Sequence, residues 1–494
     1  MRNMIKQVDK VTEKIRVKYN IHKSFYLLAI LTTLLYVIGV LEKQYNLELI
    51  AVIIVFFEME RFFLTNVKKY FLHSIMMFSF FLFLLGRPIL SFIRGYAWWE
   101  GYESVIDIVL MILLVMLVSF LSGCLLADKI SISQKNKDKK MKYYAIFKSK
   151  YVKYGSITIY FFSLISTYYI EINRFIFLHN KNYLDLYLGN NLDFPFYIEI
   201  LSGSLVFFLA IVLSYDYGKK ISFCILSLYV FTGLFEFLLG NRTSLMAKVL
   251  FAFIYYCIRN FDDRKKEQWI GKYEKAIIII MVPICIISLG IMNYTRSDEK
   301  VEQKSIIAIA SDFFYKQGTT FETLCQGVDL TEELKEAEVN YTFGPFFDYL
   351  NDSTLSQILF NTEPMPEGNN LVRATESHDM SHHLSYLVMG KDYLEGHGRG
   401  SSFVLELYVD YGYVGIAVYL IILGAFCTKV ISIKKNQYLY ILCIIVLTDI
   451  FMITRSSALG GMVFIIQPQF WLMWGIVLCL YGADRLIKKF ITKN

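Results

Sequence analysis

The length of its apolar runs constrains this chain more than any other feature. Stretches 25–41, 47–64, 71–93, 108–126, 154–170, 196–213, 221–239, 245–258, 276–291, 403–427, 438–453 and 462–480 are each long enough, or nearly so, to carry a helix across hydrocarbon about 30 Å thick. Inside hydrocarbon a backbone must satisfy its own hydrogen bonds, so such runs fold as helices and not as open sheet edges. The expectation is an all-α polytopic integral membrane protein of about 12 transmembrane helices. The weakest of these is 245–258, which is short and carries Lys248. Composition agrees, since 55% of residues are hydrophobic and only 19% are charged, whereas soluble domains hold about 45–50% apolar and about 25% charged residues. With 7 Pro and 28 Gly, the chain is neither a collagen-like repeat nor a disordered linker.

Positive charge orients the bundle. Most of the 50 lysines and arginines fall in alternate loops, those around 1–23, 61–69, 128–153, 216–220, 259–275, 429–435 and 485–494, which labels these loops and both termini as cytoplasmic. The net charge of +7 is then a topological label facing anionic lipid. No basic face combines with base-stacking aromatics, so nucleic acid is not an expected partner. The expected organisation is a cytoplasmic segment 1–24, helices 1–9 over 25–293, an extracytoplasmic cap loop 294–401, helices 10–12 over 402–482 and a cytoplasmic tail 483–494. Seven of the 8 cysteines sit in or beside spans and Cys325 lies apart, so cysteine builds neither a disulfide nor a CxxC metal site.

The cap loop is the outlier, because loops beyond about 12–15 residues are uncommon unless functional or disordered. Runs 301–315 and 331–339 look helical, and Phe343, Phe346, Phe347 and Tyr349 cluster, so a folded cap over the bundle is expected. Arginines gather at the same face. Arg242 stands in Gly240-Asn241-Arg242-Thr243-Ser244, where Thr and Ser can cap the following helix and its positive N-terminal end adds to an anion site. Arg399 repeats the pattern in Gly398-Arg399-Gly400-Ser401-Ser402, and two such sites suit a pyrophosphate. Arg455 follows the eleventh run, and Arg87 lies at membrane depth, where a charge needs a partner or a ligand. The bland alternative for each is an arginine that anchors a helix end at the interface.

Four of the 7 histidines, His378, His382, His383 and His397, fall in the cap with Asp379. On a helix His378 and His382 would share a face, which leaves three readings open: metal ligation, proton transfer or sugar hydrogen bonding, and loop packing. With neither cysteines nor an HExxH pattern beside them, no metal is expected. Glu406 and Asp410 are four apart at the start of the tenth run, suited to a salt bridge with an outer arginine or to taking a proton from a hydroxyl.

Thr375-Glu376-Ser377-His378-Asp379, Gly396-His397-Gly398-Arg399-Gly400-Ser401-Ser402, Glu406-Leu407-Tyr408, Tyr411-Gly412 and Gly415 resemble the signature stretch of the Wzy-type O-antigen polysaccharide polymerases. Gly240-Asn241-Arg242 at a helix junction resembles that family's second recurrent feature, and the plan of spans with a long outer loop is similar over the whole chain. The resemblance implies a glycosyltransferase of the bacterial inner membrane. Such an enzyme moves a growing glycan from undecaprenyl pyrophosphate onto a new lipid-linked repeat unit, without metal or nucleotide. A flippase and a chain-length regulator of the same pathway are the implied partners. On that footing Arg242 and Arg399, supported by Arg373, Arg455 and Arg87, are expected at the pyrophosphate, with His382 and His397 beside them; His378 is the first choice of base and Glu406 or Asp410 the reserve. An O-antigen ligase and a flippase of the same lipid-linked sugars are the alternatives. The flippase would show internal repeats and midplane polar residues, which the sequence lacks.

Overall fold

The computed structural model describes residues 28–133, 145–178, 188, 192–262, 268–296, 305–353, 356–357, 361–434 and 436–491. The expected N-terminal segment 1–24, the middle of the basic loop (134–144) and residues 301–304 lie outside them. Among the described residues every regular element is helical. Among the described residues seven helices are long and apolar enough to cross a membrane: Val67–Ile93, Ile106–Ile130, Phe196–Ser214, Lys219–Leu238, Lys272–Ile291, Phe403–Ile433 and Gly460–Ile491. The chain is therefore a multi-pass membrane protein, and seven of the dozen expected runs have spanning length and composition among the described residues. Leu28–Glu42 and Gln437–Leu447 are apolar but shorter. The other three expected runs lie in Tyr45–Leu64, Lys150–Leu178 and Arg242–Asn260. These carry Glu48 and Glu58, Glu171, and Lys248 respectively, charges that are costly in hydrocarbon and make length alone a poor guide.

The helix Phe403–Ile433 and the helix Ile106–Ser133 form the spine of the bundle. Apolar side chains gain little by leaving lipid for one another, so association rests on close packing, which small residues permit. Gly123 and Gly424 sit at the crossing. A Cβ on Gly123 would lie 2.1 Å from the Ile421 carbonyl oxygen, and one on Gly424 would lie 2.2 Å from that of Phe120. Buried His73 donates from Nε2 to the Gly424 carbonyl at 3.0 Å and ties the helix Val67–Phe80 to the same point. Gly424→Val accordingly separates two backbones, a cost of about 1–3 kcal/mol or more. The expected readout is a lower melting temperature in detergent, and an unchanged value would contradict this close approach.

Lys272–Arg296 stands at the rim with Ile277, Ile279, Ile280, Val282 and Ile284 exposed, the pattern of a lipid-facing helix. At the far end of Arg242–Asn260, about 25 Å from Arg242, buried Arg259 meets Asp216 at 3.3 Å and lies 4.2 Å over the Trp269 ring. Lys434 joins them, 2.8 Å from Asp216 and 2.7 Å from Asp262. Two cations and two anions thereby neutralise one another out of water, which locks the end of the bundle opposite Arg242.

Two elements depart from the expected runs. Gly412, at φ 62° and ψ −153°, breaks Phe403–Ile433 into a short first half and a long second half, a conformation essentially reserved for glycine. After Gln437–Leu447 the chain leaves the α-helix for 3₁₀ turns Ile450–Arg455 and Gly460–Ile465 before Pro468–Ile491 begins. Arg455 therefore sits in irregular backbone.

The described residues between 305 and 400 fold as short helices joined by turns: Ile306–Gln317, Thr319–Asp329, Thr331–Glu336, Gly344–Asp352, Leu371–Glu376, Met380–Met389 and Lys391–Leu394. Phe321, Leu324, Val328, Tyr341, Met380 and Leu384 are buried in the same apolar cluster as the spine. This cap is therefore packed onto the bundle as part of one core.

Candidate functional site

Where cap meets bundle there is a cavity of about 470 Å³. The bundle contributes Phe83, Arg242, Thr243, Met246, Met452 and Arg455, and the cap contributes Gln317, Asn369, His382, Tyr393, His397 and Arg399. Five of the expected site residues, Arg242, Arg399, Arg455, His382 and His397, thus share one cavity although they are spread over more than 200 positions of chain. No carboxylate is among its described lining residues. Three guanidinium groups on one cavity concentrate positive potential there and favour an anion.

Each arginine is held by backbone that the local sequence fixes. Asn241, in extended conformation, caps Arg242–Asn260 by accepting from Thr243 N at 3.2 Å, so the cap is this asparagine and not the Thr243 or Ser244 hydroxyl. Arg242 donates from Nη1 to the Leu289 carbonyl at 3.1 Å. Arg399 is clamped through its main chain: its N–H donates to Ser385 Oγ at 2.9 Å and its carbonyl accepts from Thr323 Oγ1 at 3.2 Å. Its guanidinium makes no hydrogen bond or ion pair among the described residues, and its Nε is buried. A charge left unpaired in a polar cavity marks where a ligand belongs. Arg455 donates to Gln317 Oε1 at 3.5 Å.

His382 lies on Met380–Met389, capped by Asp379, which accepts from Ser381 N at 2.8 Å. Its Nδ1 is 2.8 Å from the Tyr393 hydroxyl, which donates in turn to the Asn370 carbonyl at 3.4 Å. The tautomer with its proton on Nδ1 fits that chain and leaves Nε2 as the ring's acceptor. Burial holds the His382 imidazolium below the ordinary imidazole pKa, Asp379 opposing the shift and Arg373 adding to it.

The remaining expected residues are placed elsewhere. His378 precedes the helix, so it does not share a face with His382; its N–H and Nδ1 both bind Asp348, at 2.8 and 2.9 Å from Oδ1. Burial raises the Asp348 carboxyl above its usual range, against the bonds from His378. His383 pairs with the Tyr341 hydroxyl at 2.9 Å. The histidines thus take separate partners, and among the described residues no three metal-ligating side chains converge. Arg373 is paired with Asp352 at 3.2 Å. Arg87 is paired with Glu322 and lines a different cavity. Asp410 accepts from Thr342 N at 2.6 Å and Tyr341 N at 3.3 Å, a fastening of the cap onto the spine.

Glu406 meets no arginine among the described residues. Almost wholly buried at 1% exposure, it accepts from Ser401 Oγ at 2.7 Å, Ser457 Oγ at 2.9 Å and Ala458 N at 2.8 Å. It therefore pins the Arg399 loop to the Arg455 loop. Glu406→Ala strands three donors and is expected to cost about 1–3 kcal/mol, with the melting temperature and the function of the cavity falling together. Lost function in a variant as stable as the wild type would instead make Glu406 a participant in chemistry.

Tyr393, Asn369, Ser385 and Gln317 were not among the residues the sequence points to. Tyr393 offered one signal, an aromatic hydroxyl eleven residues after His382 on the far side of the Gly390 turn; Gln317, Asn369 and Ser385 offered none, since only the fold brings them in.

No curated protein and no solved structure matches the chain. The family model for the O-antigen polysaccharide polymerase Wzy matches residues 24–490. That span contains every residue of the cavity and nearly the whole chain, so the protein belongs to the Wzy family of O-antigen polysaccharide polymerases.

Proposed function

We propose that the cavity transfers a growing glycan from an undecaprenyl pyrophosphate carrier to the terminal sugar of a second lipid-linked repeat unit, on the outer leaflet of the bacterial inner membrane. The observation that carries this reading is the convergence of Arg242, Arg399 and Arg455 with His382 on one cavity that no described carboxylate lines. In the reaction the acceptor hydroxyl oxygen bonds to the anomeric carbon of the donor, and the bond from that carbon to the phosphate oxygen breaks. The leaving pyrophosphate takes up negative charge, which fixed guanidinium groups and the N-terminus of Arg242–Asn260 stabilise. The hydroxyl proton passes to His382 Nε2, whose neutral form burial favours. His382 takes this role in place of His378, because His378 is bound to Asp348 and does not line the cavity. His397 is left to hydrogen-bond the sugars. Nothing in this scheme calls for a metal or nucleotide, since the carrier itself supplies a competent leaving group. A flippase delivering the units and a regulator of chain length are the partners such a reaction would use.

The test is reconstitution of the purified protein in bilayers with lipid-linked repeat units in the presence of a chelator. The expected product is a ladder of lengthened chains. A single added unit on a lipid A core acceptor, with no ladder, would indicate a ligase instead.

A further inference from the structure

A second cavity, of about 350 Å³, lies beside the first, on the other side of the cap segment 315–322. Gln317 in that segment faces the arginine cavity, while Tyr315, Phe321 and Glu322 line the second one. Its outer wall is the short loop Gly95-Tyr96-Ala97-Trp98-Trp99-Glu100-Gly101, which Gly95 at φ 73° and Gly101 at φ 84° allow to turn tightly at both ends.

The two cavities differ in chemistry. Arg87 is neutralised by Glu322 and stacks its guanidinium 4.3 Å over the Tyr315 ring. Glu100 has no side-chain hydrogen bond or ion pair among the described residues, so the lining side chains carry one more negative than positive charge and offer a phosphate no cation outside the Arg87–Glu322 pair. Aromatic surface dominates the rest. Trp98 is buried, donates from its indole to Asn46 Oδ1 at 3.0 Å and packs 6.0 Å from Phe321, which makes a rigid floor. Tyr96 is 60% exposed and has no ring contact among the described residues, so a large aromatic face is held open at the mouth. Aromatic faces for C–H surfaces, with one free carboxylate and a hydrogen-bonding ion pair for hydroxyls, are what a neutral polyhydroxylated ligand needs.

We propose that this cavity is a saccharide subsite, holding a sugar unit of the glycan next to the reacting end; the ligand class rests on the transferase reading above. Tyr96 stacks on the apolar face of the ring, and Glu100 with Glu322 accepts from its hydroxyls. A subsite one segment away from the chemistry grips the chain between successive transfers and so favours continued elongation over release.

The test uses the full-length protein in nanodiscs and, as probe, lipid-free oligosaccharides released by mild acid from the host's own lipid-linked repeat units. Titration is followed by tryptophan fluorescence, to which Trp98 and Trp99 contribute. Saturable binding is expected in the wild type, weakened about tenfold in Tyr96→Ala and in Glu100→Gln and retained in Tyr96→Phe, a tenfold change corresponding to about 1.4 kcal/mol. Tyr96→Ala is also expected to shift the elongation ladder toward shorter chains. Arg399→Ala separates the sites: it removes transfer, yet the oligosaccharide still titrates. Absence of wild-type binding, or equal affinity in Tyr96→Ala and Glu100→Gln, would overturn the subsite, including the case in which Tyr96 serves only to anchor the loop in the lipid interface. Failure of the transferase reading reads out differently, as no ladder from wild-type protein whatever the titration gives.

Discussion

Arg399→Ala is expected to lower the rate of glycan transfer by about two to three orders of magnitude, the loss typical when one preorganised donor to a developing negative charge is removed. The size of the effect follows from the setting of the guanidinium in the fold. It is aimed into the cavity wall with a buried Nε and makes no ion pair or hydrogen bond among the described residues, so its stabilising power is held for a ligand. Its backbone, by contrast, is fully engaged with Ser385 and Thr323. Alanine keeps both main-chain bonds, and the variant is expected to retain the wild-type melting temperature. Arg399→Lys should recover only part of the rate, because one ammonium cannot offer the two parallel bonds of a guanidinium to phosphate. Arg242→Ala is expected to behave similarly, with an added small stability loss from the Leu289 contact. Single-turnover transfer between lipid-linked units, compared with thermal stability, checks both. A loss of rate that tracks a loss of stability would remove the arginines from the chemistry.

His382→Ala is expected to lower transfer by about 10²- to 10⁴-fold, the range for removal of a positioned proton acceptor. The pH profile carries more information than the loss itself. In the proposed role the working form is the neutral imidazole, so the rate is expected to fall as acid protonates it. Burial lowers the pKa of this group, and the wild-type plateau therefore extends below the ordinary imidazole value of about 6.5 before it drops. In His382→Ala that acid limb disappears. Tyr393→Phe removes the hydroxyl that fixes the ring through Nδ1, and a fall in kcat with little change in KM is expected. His378→Ala keeps the wild-type acid limb, since His378 is bound to Asp348 away from the cavity. An acid limb that vanished in His378→Ala and survived in His382→Ala would reverse the assignment.

How far the sequence carried these conclusions varies with how local the signal is. Apolar runs are local, and among the described residues each expected run contains a helix, though 438–453 and 462–480 are α-helical only in part; run length alone did not separate the helices of spanning composition from those bearing Glu48, Glu171 or Lys248. Arginine at a helix junction is likewise a local signal, and Arg242, Arg399 and Arg455 do line one cavity. Spacing read as helical failed for one pair of histidines, His378 and His382, whereas His382 and His397 line the cavity as expected. Asp379 starts the helix after His378, so the i, i+4 relation to His382 never forms. The salt bridge expected of Glu406 or Asp410 with an outer arginine does not form among the described residues: both are satisfied by hydroxyls and backbone N–H groups of residues 341–342, 401 and 457–458, and apart from nearby Ser401 no sequence pattern announces these donors. The aromatic loop at 95–101 shows the opposite case. Its two tryptophans between glycines were visible in the sequence, but their meaning depended on the cap segment that closes the cavity behind them.

The central claim is that the arginine-lined cavity holds the pyrophosphate of the lipid carrier. It is tested most directly by an electron cryo-microscopy map of the protein in nanodiscs with undecaprenyl pyrophosphate bound. The account predicts density for the two phosphates between Arg242, Arg399 and Arg455, with the polyprenyl chain leaving toward the lipid. Phosphate density at the Arg87–Glu322 cavity, or anywhere that leaves those three arginines unoccupied, would contradict it.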